Sequence, residues 1–181
     1  MPEVSGKYFA YSDLFWGSKT FLKIIDEQQE GALAYYSCIS VIVFSAFCLE
    51  AYMNHIGPIL IKTWENSRED NGEIWLRPKE KIDKICSNLH ITPDYGRRPF
   101  QSYTDIFVFR NLVAHGATSI IEGNFTDGIP EIHNEIEKKA IPKFAHRYHK
   151  DTEGMILFIH NKFNPGDYPF LTISEAEGIN E

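Results

Sequence analysis

Residues 31–49 read GALAYYSCISVIVFSAFCL, nineteen uncharged side chains between Glu30 and Glu50. A run of that length reaches the threshold for crossing a bilayer. Its three serines, its two tyrosines and the carboxylates at both ends argue against that use, because spans are normally anchored by basic or aromatic residues at their ends. A helix apolar on every side is also what the middle of a bundle, or the face between two subunits, requires. The run is read as the central helix of an all-α, up-down bundle of about five helices with a partly extended C-terminal arm. No membrane association is expected.

Helical signals surround this run on both sides. Ser12-Asp13 offers an N-cap for an amphipathic stretch carrying Leu14, Phe15, Phe21, Leu22 and Ile25, which ends near Glu30-Gly31. The central helix is predicted from about Ala32 to about Trp64, with Gly57-Pro58 as a kink or early end. ENSREDNGE, residues 65–73, has no apolar period and reads as an exposed loop. Pro78 opens a third helix, PKEKIDKICSNL, with Ile82, Ile85 and Leu89 on one face. A loop, HITPDYGRRP, leads to a fourth helix from Phe100 to His115, with Tyr103, Phe107 and either Arg110 or Asn111 on one side. A fifth helix is predicted to open at Ile129-Pro130 and to bend or break at Pro142. After Asp151, MILFIHNKF alternates only partly and reads as a short strand or an ordered arm, and the acidic end ISEAEGINE reads as frayed. The resulting organisation is an N-terminal arm over 1–11, a helical bundle over 12–118, and a C-terminal helix and tail of the same domain over 119–181.

Composition sets limits on function. The 181 residues suffice for one domain with a real core. The formal charge of −7 leaves no broad basic surface, but it is unevenly spread: −5 over residues 1–76, +3 over 77–150 and −5 over 151–181. A local anion-binding cleft is therefore possible only in the middle third. Cys38, Cys48 and Cys86 are odd in number and lack metal-ligand spacing, so they read as buried thiols in a reducing cytosol. The start, MPEVSGKYFAYSD, lacks the basic-then-apolar pattern of a secretory signal, and a cytoplasmic location is expected. Trp16, Trp64 and Trp75 read as core or interface groups. His133 and His146 are not spaced as ligands on one turn, so no metal and no cofactor are expected.

The basic third contains FRNLVAHG, residues 109–116. Arg110 supplies a permanent cation able to grip two phosphate oxygens, and His115 an imidazole able to move a proton. A glycine then ends the helix. Together with SAFCLEAYMN on the long helix and the KEKI helix, this segment resembles the HEPN superfamily of small all-helical domains. The family motif is an arginine, four to six residues, then a histidine, and Arg110 and His115 fit with four between. Asn111 matches the polar residue that often follows the arginine. Glu50 and Asn54 resemble the acidic and polar pair on the long helix of many members. The likeness covers roughly residues 12–118.

That resemblance implies a homodimer with the two motifs facing each other, RNA as substrate, and metal-independent endoribonuclease activity of the kind found in toxin–antitoxin and phage-defence systems. In this reading His115 is the general acid or base, Arg110 the phosphate clamp and Asn111 an orienting group. Glu50 and Asn54 support them. Arg97 and Arg98, beside a proline, read from the residues alone either as phosphate contacts ahead of the motif helix or as a solvated loop. The alternatives are a non-catalytic interaction or regulatory domain of the same fold, and an accessory nucleotide-binding partner of a nucleotidyltransferase. An antitoxin or a nucleotidyltransferase-type protein is the partner such systems imply. Two structural roles compete with these: Arg110 pairing with Glu50 or Asp105 inside the bundle, and His115 favoured at a helix C-terminus by the dipole alone.

Overall fold

In a computed structural model, the described residues are 5–28, 30–64, 76–116, 124–126, 129–131, 134–172 and 174–177. They form an all-α bundle built around one long helix. Helix α1 spans Ala10–Glu27, α2 Ala32–Leu60, α3 Pro78–Asn88, α4 Ser102–His115, α5 Glu135–Lys139 and α6 Pro142–Phe163. Two short antiparallel ribbons accompany them. In one, β1 (Ser5–Tyr8) pairs with β4 (Ser174–Glu177), and in the other β2 (Asn124–Thr126) pairs with β3 (Ile129–Glu131).

The apolar run forms α2, with α1, α3, α4 and α6 all packed against it. Val41, Ile42, Ala46, Leu49, Tyr52 and Ile56 are essentially inaccessible. Each such large side chain contributes on the order of 1.5–3 kcal/mol by leaving water. By length and composition α2 could cross a bilayer; here about half of its apolar window is buried in the core of the bundle. One stripe stays accessible: Leu33, Tyr36, Ser40, Val43, Phe47, Glu50 and Asn54, spaced alternately three and four apart. That is the spacing of a seam that meets another helix.

Several boundaries differ from the sequence reading. Helix α1 begins at Ala10, not at a Ser12-Asp13 cap. The Ser12 hydroxyl is buried and donates to the Phe170 carbonyl at 3.1 Å, so a tertiary partner takes the group expected to cap. Helix α2 ends at Leu60 rather than near Trp64. Trp64 folds back instead, its indole lying where a Cβ on Gly57 would sit 2.2 Å away. Ile129–Glu131 is extended, not the start of a helix, and α5 starts only after the Asn134 cap, whose side chain accepts from the Glu137 N–H at 2.8 Å. The break expected at Pro142 is present: α5 ends at Lys139 and Pro142 opens α6 at its first turn, where a missing N–H costs nothing.

The largest correction concerns MILFIHNKF. It is neither strand nor arm but the second half of α6, with Met155, Ile156 and Ile159 fully buried. Asp151, read as the place where the pattern changes, is a buried mid-helix carboxylate held by Arg98 and Ser102. The acidic end is not wholly frayed, since Ser174–Glu177 pairs with the N-terminal strand. The loop over 65–73, Trp75 and His133 lie outside the described residues. Trp16 is not a core group; it is part-exposed and donates from Nε1 to the Phe170 carbonyl at 2.9 Å. The three cysteines are buried and unpaired, as expected.

Where α1 meets α6, Phe15 stacks between Phe170, at a centroid distance of 4.0 Å, and His149, at 4.8 Å. His149 Nδ1 lies 2.9 Å from the Ser18 hydroxyl. Burial pushes its pKa down to about 4, so this imidazole is a neutral packing group at pH 7.

Candidate functional site

Three helices bring one charged cluster together. Glu50 comes from the accessible stripe of α2, Lys81 from α3 and Arg110 from α4. Glu50 Oε2 accepts from Arg110 Nη2 at 3.0 Å, and Oε1 accepts from Lys81 Nζ at 2.8 Å. The side chains are 26% (Glu50), 18% (Arg110) and 6% (Lys81) exposed, so the cluster is largely withdrawn from water without being sealed. One carboxylate shared by two cations leaves an excess of one positive charge. Arg110 Nε is buried without a hydrogen-bond partner, and its guanidinium lies 5.5 Å from the Phe107 ring.

The periodicity of α4 explains this placement. Tyr103, Phe107 and Arg110 lie at steps of four and three on the inward face. The Tyr103 and Phe107 rings meet at a 45° tilt with centroids 4.8 Å apart, and the buried Tyr103 hydroxyl lacks a partner. Burial raises the Tyr103 pKa, with Tyr95, Asp83 and Glu50 adding to the rise. Arg110, not Asn111, therefore occupies the third place on this face. The structure selects Glu50 over Asp105 as its partner.

Asn111 and His115 belong to the opposite side. With Thr104 and Val108 they make an exposed stripe at four-three-four spacing. His115 is the last residue of α4, about 140° round the axis from Arg110. Arg110 and His115 therefore do not converge within one protomer. Gly116 ends the helix with φ −58°, so left-handed freedom is not what selects it. The reason is space: a Cβ there would stand 2.8 Å from the Leu112 carbonyl oxygen. Asn54, one turn beyond Glu50, is exposed.

The two remaining arginines part company. Arg97 is 87% exposed and only 3.7 Å from Asp94, a surface contact of little energetic weight. Arg98 is committed to Asp151, donating from Nε at 2.8 and 3.0 Å with Nη2 at 2.7 Å. Arg147 completes that knot, donating to the Ser102 hydroxyl at 3.0 Å and to Gln101 at 3.2 Å. Arg98 thus ties the loop before α4 to α6.

Lys81 is the member of the cluster that sequence reasoning missed. A signal was present, because Lys81 lies four residues before Ile85 and beside Ile82 on the face that α3 buries. A lysine on an apolar face needs a carboxylate, and Glu50 is the interruption of the apolar helix it packs against. Among the described residues, no group of three or more His, Cys, Asp or Glu side chains is placed to hold a metal ion.

No family model, curated protein or solved structure matches the chain. The HEPN likeness therefore stands on the residues quoted and on the helical architecture alone.

Proposed function

We propose that this chain is a HEPN-type endoribonuclease that works as a homodimer without a metal. The observation that carries the reading is the Glu50 cluster: a carboxylate on the long helix holds the motif arginine from below, and a second cation keeps the cluster net positive. RNA brings its own nucleophile, the 2′-hydroxyl next to the scissile phosphate. The protein must take that proton, stabilise charge on the non-bridging oxygens and protonate the departing 5′-oxygen. An exposed imidazole at the end of α4 suits the proton transfers, since histidine is the side chain most often used as general acid or base. A guanidinium oriented by Glu50 suits the developing charge. Asn111, one turn before His115 on the same face, suits ribose or phosphate orientation.

One protomer separates the arginine from the histidine, so the reading requires a twofold mate. The accessible α2 stripe of Leu33, Tyr36, Val43 and Phe47, which leads to Glu50, is the face proposed to meet it. RNA is the proposed substrate, with an antitoxin or a nucleotidyltransferase-type protein as the regulatory partner and the cytoplasm as the setting. The test is cleavage of a mixed-sequence RNA, with and without chelator. His115→Ala and Arg110→Ala should each remove cleavage, His115→Ala should leave the dimer intact, and chelator should change nothing. Full activity in His115→Ala would end the reading.

The second reading, a non-catalytic docking domain of the same fold, has its own support: Arg110 is mostly buried in an internal ion pair. It expects no cleavage by the native chain, together with loss of self-association in Phe47→Glu.

A further inference from the structure

Apart from the Glu50 cluster, the last turn of α6 and the segment after it fold against the start of α1 and the end of α2. A half-enclosed cavity of about 330 Å³ opens there. Its walls include the rings of Phe9, Tyr11, Phe163 and Tyr168, and its mouth carries Ile59 and Leu171, two of the most exposed large apolar side chains. That volume falls at the lower end of small-molecule sites.

The polar groups select the ligand's charge. Gly166, at φ +92°, turns the chain after α6 so that Asp167 folds back over the last helical turn. Its carboxylate accepts from Asn164 Nδ2 at 3.1 Å and from the Tyr168 N–H at 2.8 Å. Both donors are neutral, so they orient the carboxylate without cancelling its charge. Among the described residues neither lysine nor arginine lines the cavity. Tyr168 donates its phenol proton to Glu153 at 2.8 Å, which fixes the ring and enriches its π face. His160 lies on the same wall. Its Nδ1 is 3.0 Å from the Tyr52 hydroxyl, and its Nε2, sealed from solvent, stands 3.5 Å from Asp167 Oδ2.

We infer that this cavity binds a small organic ammonium ion, its apolar body between the rings and its charged head against Asp167. Aromatic faces attract cations and give phosphates and carboxylates nothing. The site is remote in kind from the Glu50 cluster, which is cationic, and the inference stands whether or not the chain cleaves RNA.

The experiment is calorimetric titration of the full chain with 2-phenylethylammonium, 2-phenylethanol and phenylacetate, which share one skeleton and differ in charge. The ammonium ion should bind saturably at one site, at least about tenfold tighter than the alcohol or the anion. Asp167→Asn should weaken the ammonium ion at least about fivefold and leave the alcohol unchanged. Absence of saturable binding, equal binding of alcohol and ammonium ion, or undiminished binding by a folded Asp167→Asn overturns the inference. If Asp167→Asn does not fold, the comparison of the three probes on the native chain decides by itself.

Discussion

Replacing Glu50 by glutamine removes one charge and leaves the shape nearly unchanged. It strands Lys81 and Arg110, both largely out of water, without a counter-ion. Breaking a fully buried pair by removing one partner costs about 3–5 kcal/mol. Glu50 is 26% exposed, so water recovers part of that, and about 2–3 kcal/mol is expected once the wet side is discounted. For a domain of this size that corresponds to a fall in Tm of roughly 4–12 °C. The assay is denaturant and thermal unfolding followed by circular dichroism. A double-mutant cycle with Lys81→Met would isolate the pairwise part, expected at about 1 kcal/mol or more. Because the pair is shielded, raising the salt concentration should change the loss little. A Glu50→Gln protein within about 0.5 kcal/mol of native stability, the range of an ordinary surface change, would refute the picture of a shared, partly buried carboxylate.

Other consequences are simpler to test. His149 is held neutral by burial with its pKa near 4, whereas the unfolded chain protonates it below about 6.5. The unfolded state therefore binds the extra proton between those values, so stability should rise with pH across that window, by about 3 kcal/mol in all, and His149→Gln should flatten the slope in pH-dependent unfolding. Gly57→Ala would force a Cβ to within 2.2 Å of the Trp64 indole, so a loss of about 1–3 kcal/mol is expected, with a red shift of tryptophan emission as the ring is displaced. Asp151 is buried beneath Arg98 and Arg147, and Asp151→Asn should destabilise by about 3 kcal/mol in denaturant titration. Burial raises the thiol pKa of Cys38 and Cys86 to about 11 and of Cys48 further still, so a thiol reagent should label none of the three until denaturant is added.

The apolar run, the KEKI helix and the motif helix were legible because each repeats its pattern over several turns, and a repeated pattern survives errors at its ends. Boundaries were not. Ser12 looked like a cap and is used 158 residues away, at Phe170; no local reading can anticipate that competition. Helix α6 was cut short because nine residues taken alone alternate weakly. Over the longer window Ala145, Tyr148, Thr152, Met155, Ile156 and Ile159 mark one helical face, and all are buried on the bundle side.

The site divides along the same line. Helical rotation puts Asn111 with His115 and sets Arg110 on another face of the helix, because rotation per residue is a property of the backbone. Which carboxylate Arg110 would meet, and that Lys81 would share it, depended on how three helices pack, since an ion pair forms only between groups that tertiary structure has already brought out of water together. The cavity beside Asp167 is the extreme case. Its walls come from both ends of the chain and from the middle, and nothing in the order of residues places Phe9 opposite Tyr168 until the bundle closes.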